Sequence, residues 1–264
     1  MRVRLLPLLF LALGTTACLE TLQPPEGRFG TITAAAYDNG AGTYVLRPEA
    51  AFYDRTDLTY TPVVGDTCVT AVYTPILTIS GSLLTLNAGE FLFTSIGGRV
   101  DTLAPLGGLS LRVYSAIRPL GIPYTPGDTL AVTIPGSVSG FPASAISVRT
   151  AEAFTHDSIR VPGATEDLTL AWTPAPSAGS QMTFSLRYAN GFSGGTANEQ
   201  LFCSFTDDGT ATIDSDYLSG WRSALNDVRS TRAVRIRSRE ITIDGRTRLN
   251  IISSFGQPLL TINF

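Results

Sequence analysis

The sequence predicts an all-β protein of mainly antiparallel sandwich type, on three observations. Apolar side chains recur at every second residue through most of the chain, no long stretch carries the helical period, and 25 Gly and 16 Pro punctuate the alternating runs. With 264 residues, 44% of them apolar and only 16% charged, the chain can bury a substantial core. Its length suits two β-domains better than one.

In chain order, the first element is a secretion signal. Arg2 and Arg4 open it, an apolar run extends from Leu5 to Leu13, and small residues lead to Cys18. The run is far shorter than the roughly 20 residues a membrane-spanning helix needs. The segment resembles a bacterial lipoprotein signal, with Thr15-Thr16-Ala17 ahead of the cysteine. That resemblance implies cleavage before Cys18, lipid on Cys18 and a membrane anchor. An ordinary signal peptidase would accept Thr15 and Ala17 and cut at the same bond. Residues 1–17 are therefore read as signal peptide and 18–27 as tether.

An N-terminal β-domain is expected over 28–120 and a C-terminal one over 125–264. The boundary is placed at 118–126, where Pro119, Gly121, Pro123 and Pro126 cluster, because proline cannot donate to a sheet ladder. A second candidate boundary lies at 162–167. Period-two strands are read at Leu109, Leu111, Val113; at Leu130, Val132, Ile134; at Leu168, Leu170, Trp172; at Met182, Phe184, Leu186, Tyr188; and at Leu201, Cys203, Phe205. Residues 173–179 are read as a hairpin connection. One short helix is expected near 215–226, where Tyr217, Leu218, Trp221 and Leu225 follow a cap at Asp214 or Ser215.

The clearest hairpin is expected over 231–252, with a tight turn at Asp244-Gly245. The alternation slips by one between Ile236 and Ile241, which predicts a bulge or short turn near Ser238. A last strand is read at 259–264. The half from about Asp128 is similar to Ig-like β-sandwich modules of bacterial surfaces. Leu168-Thr169-Leu170-Ala171-Trp172 and the spacing of Cys203, Phe205, Asp207, Gly209 and Ile213 carry the resemblance, which matches a run found in bacterial envelope lipoproteins. It implies a fold far more than an activity.

If Cys18 carries lipid, Cys68 and Cys203 remain as an even pair that an oxidising compartment can keep as a disulfide. The alternative is two thiols buried separately as small hydrophobes. All 19 basic residues are arginine. Cleavage before Cys18 removes Arg2 and Arg4 and no acid, leaving 17 basic against 22 acidic residues, a formal charge of −5. Such mild acidity argues against nucleic acid as a partner.

The sequence predicts no catalytic residue, no metal site and no cofactor. His156 is the single histidine, and its neighbours Asp157 and Ser158 on an extended segment point to alternate faces, unlike a triad. Without lysine there is neither a P-loop nor a Schiff base. One histidine and two spare cysteines do not make a closed zinc site. The acids Asp207, Asp208, Asp214 and Asp216, like Asp54 and Asp57, lack the spacing of a calcium loop, and Asp207-Asp208-Gly209 reads as a turn.

The arginines are the most distinctive feature. Arg235 and Arg237 alternate with Val234 and Ile236 and are expected on the outward sheet face, with Arg246 and Arg248 on the neighbouring strand, as a candidate anion-binding patch. The alternative is a solvated face whose charges protect an edge strand. The functional expectation is a non-catalytic cell-envelope lipoprotein with a binding or structural role towards an envelope protein or glycan. The alternative is a glycan-binding module or carboxylate-based glycan enzyme, using Tyr53, Tyr60, Tyr124 or Trp221 beside an acid.

Overall fold

A computed structural model describes residues 27–38, 43–54, 65–72, 85–107, 112–118, 120–189, 197–224, 229–259 and 261–262. The segment read as a secretion signal, Cys18, Tyr60, Asp57, Leu109, Leu111 and Leu225 lie outside them. The chain is all-β with a single short helical stretch among the described residues.

Strands β1 (Phe29–Asp38) and β2 (Tyr44–Tyr53) form an antiparallel pair, with β3 (Thr67–Val72) following. Next come β4 (Leu92–Ile96), β5 (Arg99–Leu106), β6 (Val113–Ala116) and β7 (Ile122–Tyr124). Gly97 and Gly98 join β4 to β5, both at positive φ (54° and 76°), as a two-residue hairpin turn requires. The chain continues through β8 (Thr129–Ile134), β9 (Ser144–Arg149), β10 (Ile159–Arg160), β11 (Leu168–Ala171), β12 (Ser180–Tyr188), β13 (Glu199–Thr206) and β14 (Thr210–Ile213). A 3-10 turn (Ser215–Leu218) runs into α1 (Ser219–Ser223), and β15 (Ser230–Thr242), β16 (Arg248–Leu259) and β17 (Thr261–Ile262) complete the order.

Thirteen of the described strands share one mixed sheet, in the order β3-β13-β12-β15-β16-β1-β2-β6-β5-β4-β8-β9, with β7 also on β2. Its ladders are antiparallel except β1 beside β16, which is parallel. The pairs β11–β14 and β10–β17 stand apart from it. The far edge strand β9 returns to pack against β15 and β16, so the sheet curls over its own core.

This topology departs from the expected domain split. The stretch 118–126 holds β7, paired with β2, and the ladders cross the expected boundary: β1 on β16, β3 on β13 and β4 on β8. Local proline content marked a break in the chain, whereas strand pairing is decided by apolar faces far apart in sequence. The buried apolar cluster runs without a gap from Ile32 and Phe52 through Leu130, Phe184 and Trp221 to Phe255.

The alternating runs form strands where described. Leu130, Val132 and Ile134 are buried in β8, and Met182, Phe184, Leu186 and Tyr188 in β12. Leu201, Cys203 and Phe205 line the buried face of β13. Asp214 caps the short helix by accepting from the Asp216 N–H at 2.9 Å, and Leu218 and Trp221 anchor it in the core.

Three local expectations are corrected. Residues 173–179 are a crossover and not a hairpin connection, because β11 pairs with β14 while β12 lies in the large sheet. No bulge interrupts β15: it pairs with β16 in unbroken register from Thr231–Leu259 to Thr242–Arg248. The hairpin closes through a longer turn than a two-residue one, with the Ile243 N–H donating to the Thr247 carbonyl at 2.8 Å.

Candidate functional site

The apparent slip of hydrophobic phase in β15 has its cause in which face is covered. Thr231, Ala233, Arg235 and Arg237 are buried, while Val234 and Ile236 are only partly so. The arginines thus point inward, opposite to the expectation. What covers them is irregular chain: the segment 151–155 after β9 and the crossover 173–178 lie over the inner face of β15 and β16. Such segments bring backbone carbonyls out of water with no ladder to pair them, and each needs a donor.

Arg235 supplies five. Its Nε and Nη2 hold the two oxygens of Asp207 at 2.6 and 3.0 Å, Nη1 donates to the carbonyls of Glu152 and Ala153 at 3.3 and 3.2 Å, and Nη2 also donates to the Thr173 carbonyl. Its guanidinium lies 5.2 Å from the centre of the Phe154 ring, which in turn packs edge-on against Phe255. Asp207 is completed by Trp172 Nε1 and Ser180 Oγ, both at 2.7 Å. The side chains of Arg235 and Asp207 are 1% and 2% exposed.

Arg237, two residues along the same face, repeats the device. Its Nε and Nη2 take Glu152 in a fork at 2.8 and 3.0 Å, while Nη1 and Nη2 reach the carbonyls of Ala178 and Ser177 at 2.9 and 2.8 Å. Ser253 Oγ on β16 accepts the Ala151 N–H at 3.0 Å and fixes the start of the covering segment. Arg149 reaches Glu152 from β9 at 3.2 Å.

Arg239, the third arginine of the row, meets no carboxylate among the described residues. With Arg149 and Arg237 it lines an open cleft of about 330 Å³ between β15 and the edge of β9, together with Thr129, Ser147, Gly179 and Ser238. Arg239 Nη1 donates weakly, at 3.4 Å, to the carbonyl and hydroxyl of Ser147.

The expected patch is therefore not brought together. Arg246 sits in the β15–β16 turn, and Arg248 lies opposite Thr242, five residues along the strand from Arg237, or roughly 17 Å at about 3.4 Å per residue. Phasing alone could not show that Arg235 and Arg237 face inward, since β15 carries apolar residues on both faces. The partner acids were missed as well. A usable signal existed for Asp207, which continues the inward parity of Leu201, Cys203 and Phe205 beyond the end of β13 and so calls for a buried cation.

Cys68 on β3 stands directly opposite Cys203 on β13, their Cα atoms 4.0 Å apart, and the two sulfurs are bonded. His156 is half-buried at the rim of a second cavity of about 330 Å³, with Asp157, Arg160, Glu166 and Asp167 around it. Its Nδ1 lies 3.1 Å from the Asp157 carbonyl, not from a carboxylate. Trp221 is wholly buried, so it offers no ring to a sugar. Tyr53 and Tyr124 are half-buried. Tyr124 lines a smaller cleft of about 240 Å³ with Asp128 and Arg99, and burial, followed by the nearby Tyr44, Glu152 and Asp128, pushes its phenol well above the usual tyrosine range. Among the described residues no group of three His, Cys, Asp or Glu side chains could hold a metal ion.

No protein-family model matches the chain, and no curated protein does. Among solved structures, a DUF4785 family protein from Legionella pneumophila aligns at 10% identity and a TM-score of 0.23. The alignment covers 75% of this chain and 54% of that one, so the chain spans about half the length of this neighbour. At that score the likeness carries no argument about fold or function.

Proposed function

We propose that this chain is an exported, lipid-anchored protein of the bacterial cell envelope whose Ig-like β-structure has a non-catalytic binding or structural role. The observation that carries the reading is the bonded pair Cys68–Cys203, which joins strands 135 residues apart in sequence and is of the kind that oxidising compartments preserve. The secretion signal ahead of Cys18 agrees with it independently. The polar groups most suited to chemistry, Arg235, Arg237, Asp207 and Glu152, are bound to one another and to backbone carbonyls, which supports a scaffold and not a reaction centre.

Mass spectrometry of the mature N-terminus, combined with membrane fractionation, tests this. The expected product begins at a diacylated Cys18, fractionates with membranes and carries no free thiol at Cys68 or Cys203. A Cys18→Ser variant is expected in the soluble fraction. An unprocessed chain in the cytoplasm with both thiols free would overturn the reading.

A further inference from the structure

We propose that the cleft between β9 and β15 is a binding site for a doubly charged tetrahedral oxyanion, a phosphate or sulfate group, held between Arg149 and Arg239 with Arg237 behind them. The inference deepens the binding part of the reading above and rests on it. It does not depend on where the protein resides.

Charge is the first argument. Three guanidinium groups line the cleft, and the lining includes no acid among the described residues. Among the described residues Glu152, behind it, is the one carboxylate that reaches this group, accepting from Arg237 twice and from Arg149 once. Three cations against one anion leave a local surplus of two positive charges, which a dianion would neutralise. The other acids nearby face elsewhere. Asp128 turns to the cleft of Arg99 and Tyr124, and Glu240, alternating with Arg239, lies on the opposite face 4.0 Å from Arg248.

Donor geometry is the second. Arg149 engages Glu152 through Nε and Ser177 through Nη1, which leaves its Nη2 available. Among the described residues Arg239 makes only the two long contacts to Ser147, both through Nη1, and presents Nε and Nη2 together as a fork. One N–H of Arg237 Nη1 also remains after its bond to Ala178. The hydroxyls of Thr129, Ser147 and Ser238 add short donors around the rim.

Rigidity is the third. Arg237 is 5% exposed and clamped by four acceptor groups, so the inner wall is set before any ligand arrives. Arg239 and Arg149 are exposed arms on strands of two different parts of the sheet, and an anion between them would tie edge strand β9 to β15.

The test is calorimetric titration of the purified full chain with inorganic phosphate, at ionic strength fixed with chloride. Saturable one-to-one binding is expected, with sulfate competing. Arg239→Gln should weaken binding at least tenfold, and Arg239→Lys should restore only part because it keeps charge without the fork. Arg246→Gln, outside the cleft, should stay within twofold of the parent. Circular dichroism confirms that each variant is folded. A sugar 6-phosphate and phosphatidic-acid vesicles, titrated in parallel, distinguish a glycan-borne from a lipid-borne group. No saturable binding of phosphate, or equal losses in Arg239→Gln and Arg246→Gln, would overturn the site. Either result would leave export and lipidation untouched.

Discussion

Arg235 and Asp207 form a forked ion pair, at 2.6 and 3.0 Å, in the interior of an all-β protein. Its worth lies less in the pair itself than in what removal of one partner leaves behind. Desolvating two charges roughly offsets their attraction, but an unpaired buried charge has no compensation. Asp207→Asn is expected to destabilise the protein by about 3–5 kcal/mol. In Arg235→Met the Glu152, Ala153 and Thr173 carbonyls also lose their donor. The double variant should cost clearly less than the sum of the two singles, because the second change removes the orphaned charge. Urea unfolding of the four proteins measures the coupling, and strict additivity would contradict it.

The neighbouring pair makes a different prediction. Glu152 holds Arg237 in a fork and also pairs with Arg149, so Glu152→Gln removes the carboxylate that these two arginines share. Stability in chloride buffer should fall by about 3 kcal/mol. Phosphate should then raise the melting temperature more for this variant than for the parent, because the ligand supplies the missing charge. Differential scanning fluorimetry across a phosphate series reads both effects.

These two clusters also show what could and could not be read in advance. The burial of β8, β12 and β13, and the Asp214 cap, follow from spacing alone, since an alternating strand with one apolar face has a single way to turn it inward. In β15 the rule loses its grip, because Ala233 is buried on one face while Val234 and Ile236 are partly buried on the other. Which face is covered depends on segment 151–155 and on acids 28 and 85 residues away from their arginines, and no local window contains that information. The boundary at 118–126 failed for the same reason: a cluster of proline and glycine in the sequence speaks only for its immediate neighbours, while β1 finds β16 across more than two hundred residues.

The disulfide yields a third expectation. Strand β3 is an edge strand in which all six residues but Cys68 are exposed, so burial holds it weakly and the covalent link to Cys203 restrains it. The link closes a loop of 135 residues in the unfolded chain, for which loop entropy gives roughly 4–5 kcal/mol. The Cys68→Ser/Cys203→Ser variant should unfold at lower denaturant by a comparable amount. Hydrogen exchange should rise first in the amides of Thr67–Val72, while those of β12 stay protected. Uniform loss of protection would mean that β3 is integral to the core.

The turn between β15 and β16 predicts an acid dependence. Asp244 Oδ1 accepts the N–H groups of Arg246 and Thr247 at 3.0 and 2.7 Å, and Oδ2 accepts the Thr247 hydroxyl at 3.1 Å. The Arg246 and Thr247 amides hold this carboxyl below its ordinary range, outweighing the opposing effect of desolvation. A folded-state pKa below the unfolded one means that the turn is supported fully above about pH 4, the unfolded value for aspartate. The support is lost as pH falls through the folded value. NMR titration should find Asp244 still ionised where free aspartate is half protonated, and exchange of the Arg246 and Thr247 amides should quicken only below that point. In Asp244→Ala the same amides should exchange rapidly at every pH, with no acid transition in this turn. An unchanged protection profile would mean that the ladder of β15 and β16, and not the carboxylate, holds the turn closed.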